Sequence, residues 1–155
     1  MNFDEKVVDR IKKLEREVER LRVKESPGAW LAYTPAWTAN VGTPSLGNGT
    51  ITGKYAKIGK VVTAIVTLTF GSTTSVSGTS TWYISLPFIA ISGMGVWVAY
   101  DSGVKFYTGS VRVYTGSSVI GSFFQDAGQG YLSATIPHTW GENDTLTFMV
   151  TYEAA

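Results

Sequence analysis

Val62-Thr63-Ala64-Ile65-Val66-Thr67-Leu68-Thr69-Phe70 decides the fold. Val62, Ala64, Val66, Leu68 and Phe70 fall on one face, and Thr63, Ile65, Thr67 and Thr69 on the other. A two-residue period is the signature of a strand with one covered face, and the β-branched residues suit a pleated surface. The pattern returns near the C-terminus, where Leu146, Phe148, Val150 and Tyr152 alternate with Thr147, Met149 and Thr151. Shorter runs of the same kind span 49–56, 81–86, 96–100, 105–108, 110–114, 119–124 and 131–136. Asn48-Gly49, read as a hairpin turn, and Ile58-Gly59, Asp101-Ser102-Gly103, Gly116-Ser117 and Asp126-Ala127-Gly128 punctuate them. No helical period persists after residue 26. The expectation is a mainly β body, an antiparallel sandwich or jelly-roll-like domain, with no α/β layering.

The first 25 residues obey a different rule. They hold 15 of the chain's 25 charged residues, while all 17 glycines come later. Val7, Leu14 and Leu21 repeat every seven residues, with Ile11 and Val18 between them. Assigning Ile11 and Val18 to heptad position a and the others to d gives the narrow apolar seam of a coiled coil. Arg10 and Glu15, like Glu17 and Arg22, fall at g and the following e, where opposite charges favour parallel self-association. Arg10-Ile11-Lys12-Lys13-Leu14-Glu15 is similar to the signature of short trimeric coiled coils, which outweighs the lean of Ile at a and Leu at d toward a dimer. Ser26-Pro27-Gly28 stops the helix. The organisation expected is a trimeric coiled-coil stalk over 1–25, a linker over 26–36 and a β-knob over 37–155. Val7, Arg10, Ile11, Leu14, Glu15, Val18 and Leu21 carry trimerisation.

Composition narrows the function. The net charge of +1 lacks the basic excess of a nucleic-acid binder. With no Cys there is no disulfide, thiolate zinc site or cysteine nucleophile. No run approaches the roughly 20 apolar residues of a membrane span, and the charged N-terminus has no signal-peptide core. Synthesis in the cytoplasm without export or membrane insertion is expected. A charge-poor, threonine-rich surface fits a chain whose subunits face one another.

Trp37-Thr38, the stretch Leu46-Gly47-Asn48-Gly49-Thr50-Ile51-Thr52-Gly53-Lys54-Tyr55, and Ile58-Gly59-Lys60-Val61-Val62 resemble a module of tailed-phage and prophage minor tail and fibre proteins, especially in phages of actinobacteria. Leu86-Pro87 matches its Leu-Pro pair. Trp140, Asp144, Leu146 and Tyr152-Glu153-Ala154 resemble its closing strand. The resemblance covers about 37–87 and 137–155 and leaves 88–136 unmatched. It implies a trimeric β-rich knob on a fibrous stalk, located in the virion and serving attachment or receptor binding. Family copies often end much longer tail proteins, whereas this chain starts at Met1 with a short stalk. The attachment point therefore stays open between tail tip, baseplate and capsid.

Few residues suggest reaction chemistry. His138, the one imidazole, reads as a loop residue, or as one of three copies around an ion on a symmetry axis. Glu142 and Asp144 read as turn residues, with calcium ligation and a glycosidase carboxylate pair as the sharper alternatives. No cofactor is expected. Trp97, Tyr100, Asp101, Tyr107, Tyr114 and Asp126 are the candidates for binding a cell-surface glycan, since aromatic faces stack on sugar rings and carboxylates bond hydroxyls. The function expected is a non-enzymatic virion protein, a homotrimeric tail-fibre or tail-tip knob that touches other virion proteins through its stalk. A capsid head fibre of the same fold and a carbohydrate-active enzyme are the alternatives.

Overall fold

The computed structural model describes residues 3–24, 28–76, 81–125 and 130–155. Helix α1 (Phe3–Lys24) comes first, with Asp4 and Glu5 in its first turn, where carboxylates favour the positive end of the helix dipole. Nine strands follow among the described residues: β1 (Leu31–Tyr33), β2 (Trp37–Ala39), β3 (Thr50–Ile58), β4 (Val61–Thr69), β5 (Trp82–Asp101), β6 (Lys105–Val113), β7 (Ser117–Ile120), β8 (Ser122–Gln125) and β9 (Thr145–Ala154).

Every strand pairing is antiparallel. The sheet runs β1-β3-β4-β9-β5-β6-β8, with β2 and β7 also paired to β5. The 20-residue β5 makes this possible. Its first part pairs with β2 and β7, and its second part lies between β9 and β6. Because β7 returns to β5 while β8 pairs with β6, the sheet curls back over its inner face.

The alternation in 62–70 buries as expected: Val62, Ala64, Val66, Leu68 and Phe70 are at most 3% exposed. Opposite them β9 buries Leu146, Phe148, Val150 and Tyr152. At the wide end of this core Trp37, Phe70, Trp82 and Trp140 pack ring to ring, with Phe70 and Trp140 stacked at 4.7 Å. The outward threonines pair across strands, Thr63 with Thr151 and Thr67 with Thr147, each at 3.0 Å between hydroxyls.

Several boundaries differ from expectation. The runs 81–86 and 96–100 belong to one strand, and so do 105–108 and 110–114. Pro87, Gly93 and Gly95 are of types that strand interiors disfavour, yet each has a place inside β5. Pro87 lies where the register with β7 shifts, between Ser85 and Ala90, so no ladder donor is missed there. Gly95 lets β5 press onto β9, since a Cβ at that position would meet the Met149 carbonyl oxygen at 2.0 Å. The run 119–124 divides at Gly121, and 131–136 forms a turn closed by a Ser133–Ile136 bridge rather than a strand. The segment 26–36, expected as linker, contains β1, which joins the sheet through Leu31–Tyr55 and Tyr33–Gly53 pairing. The β3–β4 hairpin turns at Gly59. Asn48-Gly49 instead belongs to a turn closed by the Gly49 N–H on Leu46 O, and the Asn48 side chain bonds Ser72 and Thr73.

On α1, Val7, Ile11, Leu14 and Val18 are 41–58% exposed, and Arg10 and Glu15 are exposed. The Leu21 side chain lies outside the described residues. Glu17 pairs with Arg20 within the same helix at 2.6 Å.

Candidate functional site

The alternation that sends Trp82 and Ile84 into the core turns Tyr83, between them, outward. Tyr83 then floors a groove of about 320 Å³ lined by Tyr114, Tyr131, Arg112, Thr81 and Val119. Tyr114 follows the end of β6 and is half exposed, as is Tyr131 in the loop after β8. The Arg112 guanidinium lies 5.4 Å from the centre of the Tyr114 ring. This pair forms a ridge, and beyond it a second recess of about 330 Å³ is lined by Ser92, Met94, Thr115 and Thr151. Gly121 makes the floor flat: a Cβ there would stand 2.2 Å from Tyr83 Cε1. Three tyrosine rings offer apolar faces, while Arg112 and the phenol groups offer hydrogen-bond donors. That combination suits a flat, hydroxyl-rich ligand such as a sugar ring.

The six residues expected to bind a ligand are not gathered in one place. Tyr114 lies in the groove. Trp97 is 0% exposed and belongs to the core, because its strand phase points inward. It therefore offers no surface to a ligand. Tyr100 stacks on Phe106 at 4.6 Å, and its hydroxyl oxygen accepts the Gly103 N–H at 3.0 Å. Asp101 and Tyr107 lie near His138, and Asp126 is outside the described residues. Sequence reasoning missed Tyr83, Tyr131 and Arg112. An aromatic on the polar phase of an alternating strand, as in Trp82-Tyr83-Ile84-Ser85, was the available signal for Tyr83.

The neighbourhood of His138 is a second cluster. His138 and Asp144 side chains are 6% and 4% exposed, with Nε2 and Oδ2 3.0 Å apart. In the Nε2-protonated tautomer the imidazole donates this bond to the Asp144 carboxylate. Asp144 also accepts the N–H of Gly141 on Oδ2 at 2.7 Å and that of Ser102 on Oδ1 at 2.8 Å. The imidazole stacks on Tyr107 at 5.1 Å and contacts Trp140 at 4.4 Å. Asp101, His138 and Asp144 bring ligand atoms within 4.8 Å of one another, a set that could hold a divalent cation. The Asp144 oxygens, however, already accept three N–H groups. The arrangement ties the β5–β6 turn to the entry of β9, as expected of a turn residue.

Tyr33, Tyr55 and Tyr152 form a tyrosine cluster at the core, Tyr152 buried and the other two partly so. Burial, more than the nearby Tyr152, pushes the Tyr33 phenol far above its ordinary value. Burial likewise pushes Tyr152 up to about 12, against the opposing effect of the Phe88 N–H on its oxygen and with a smaller upward contribution from Tyr55.

No protein-family model matches this chain, and neither a curated protein nor a solved structure does. No described helix is long and apolar enough to cross a membrane.

Proposed function

We propose that this chain is a non-enzymatic structural protein of a tailed-phage virion: a homotrimeric fibre or tail-tip knob that displays a glycan-binding surface. In this reading α1 forms a parallel three-stranded coiled-coil stalk that also contacts other virion proteins. The curled sheet is a sandwich-like knob, and the groove around Tyr83, Tyr114 and Tyr131 receives a cell-surface glycan. The observation that carries it is the uncovered heptad stripe of α1: Val7, Ile11, Leu14 and Val18, spaced for a seam, stand exposed in the single chain. Burial of that stripe between copies supplies stability that an isolated helix of 22 residues has little of in water. The resemblance at Leu46–Tyr55 and Ile58–Val62 supports the virion assignment, and the tyrosine groove supports the ligand class. The burial of His138, locked to Asp144, supports binding without turnover. Each site would be weak, and three on one axis would gain through avidity.

Light scattering of the full chain is expected to give three times 16.8 kDa. Binding to host cells or isolated cell-wall glycans should drop with Tyr114→Ala and with Gly121→Ala, which displaces the Tyr83 ring, while the glycans stay uncut. A monomer would overturn the trimer. Unchanged binding by both variants would overturn the groove assignment. Docking of the full chain onto capsids without binding to any host surface would establish a head fibre instead.

A further inference from the structure

We propose that the outward face of β4, β9 and β5 is a dry interface that seats a second copy of this chain. The inference rests on the self-association proposed above and adds a contact in the β-body to the one in the helix. Register places Ile65, Met149 and Val96 side by side across three strands, with Met94 and Val98 as the next outward residues along β5. Met94 is 76% exposed, Val96 56% and Met149 46%. These side chains adjoin in space and form one patch rather than scattered apolar residues, and such patches mark interaction sites.

The threonines around them make the face drier than their composition suggests. Thr63 and Thr151, and Thr67 and Thr147, bond hydroxyl to hydroxyl within the sheet. Each pair satisfies part of its own polar demand, so covering it costs less than covering unpaired hydroxyls.

The occupant follows from charge and size. From Val61 to Thr69 on β4, from Thr145 to Thr151 on β9 and from Met94 to Tyr100 on β5, the outward residues include no charged side chain. Lys54 and Arg112 stand at the two flanks, on β3 and β6, and Glu153, opposite Val61, closes one end of the face. A surface that must meet its own copy cannot carry a block of one sign, because like charges would oppose each other; an uncharged face meets itself without repulsion. Three strands at about 4.8 Å spacing and nine residues long at about 3.3 Å rise give a face of roughly 430 Å². This is about half of the roughly 800 Å² each partner contributes to a standard stable interface, and the α1 seam would supply further area. The same chain leaves the α1 stripe uncovered, and another copy is the occupant that a heptad seam fits.

The absence of cysteine allows a clean test. Met94→Cys places one thiol in the patch, and Val104→Cys places one at the β5–β6 turn, at a side chain 69% exposed. Both are made in the full chain and labelled with a maleimide across a dilution series, with mass followed by sedimentation. While the chain is associated, Met94→Cys should label about tenfold more slowly than Val104→Cys, since reaction waits for the interface to open. The gap should close on dilution to monomer. Met149→Lys should shift dissociation to higher protein concentration. Equal labelling rates in an oligomer would mean association through α1 alone, which overturns this proposal and leaves the trimer reading standing. A wild-type chain that is monomeric throughout overturns both. Protection of Met94→Cys that persists in the monomer would assign the patch to a cover other than a second copy, and the proposal would fall.

Discussion

On the inner face of β4 and β9 the chain covers its own apolar residues; on α1 it does not. Val62, Val66, Leu68, Phe148 and Val150 are at most 1% exposed, whereas Val7, Ile11, Leu14 and Val18 are 41–58% exposed. The two regions differ because a curled sheet brings its own second layer. Residues far apart in sequence close onto one another over the inner face, as Phe70 and Trp140 do. A helix with a narrow stripe has no such neighbour within its own element. The β-body is therefore expected to keep most of its stability on dilution to monomer, because its own core holds it, and to lose only what the β4-β9-β5 contact adds. The helical signal should depend on protein concentration.

The largest effect should come from the self-covered region. Phe148→Ala removes a ring packed edge-on to Phe123 at 5.4 Å, in a site with no access to water. The loss should be about 3–5 kcal/mol of β-body stability. Denaturant unfolding followed by near-ultraviolet circular dichroism reads it, and an unchanged midpoint would mean the inner face is not the core.

Next comes the uncovered region. Ile11→Asp with Leu14→Asp puts carboxylates into the proposed seam, where an apolar surrounding penalises charge. Helical ellipticity at 222 nm should fall toward that of the β-body alone, with the β-body transition retained. Unchanged helicity would mean the stripe is not a seam.

A smaller effect tests the tie between the β5–β6 turn and β9. Asp144→Ala strips the acceptor from His138 Nε2, Gly141 N and Ser102 N. The expected loss is about 1–3 kcal/mol, from buried donors left unsatisfied. Amide exchange should quicken at Ser102 and Gly141 while α1 is unaffected.

The smallest effect is a pH dependence confined to the body. Tyr152 has its folded value raised to about 12 from an ordinary 10. Between those values the unfolded chain loses a proton that the folded chain keeps, so stability is full below pH 10 and falls as pH rises toward 12. Thermal melts at pH 8 and pH 11 should differ, and Tyr152→Phe should reduce the difference. A pH-insensitive melt would place the Tyr152 phenol in water.

The regular alternation of β4 and β9 and the heptad of α1 were legible because each repeats one period without interruption. β5 was not, because Pro87 and Gly93 are stop signals locally. Only the pairing partners, β2 and β7 on one part and β9 and β6 on the other, explain why the strand runs through them. The candidate site shows the same limit. Tyr114 was visible as an aromatic near a turn, but the groove needs Tyr83, 31 residues earlier, and Tyr131, 17 later. Trp97 was misplaced because aromatic content alone does not reveal which face a residue occupies. Phase with Ala99, which is equally buried on the inner face, does.

The position of β9 bears on how the molecule is made. It is the strand between β4 and β5, and every other strand precedes it in sequence. Until residues 145–154 emerge, the β1-β3-β4 portion and the β5-β6-β8 portion are two half-walls, each with an unpaired edge and an apolar inner face. Contacts this distant in sequence form slowly, and open edges of this kind recruit other chains. A chain cut short before Thr145 would have all its tryptophans but would leave β4 and β5 without the strand that pairs with both. The consequence of this topology is that a chain carrying β9 is expected to withdraw both edges from pairing with other chains, whereas one lacking it is expected to aggregate.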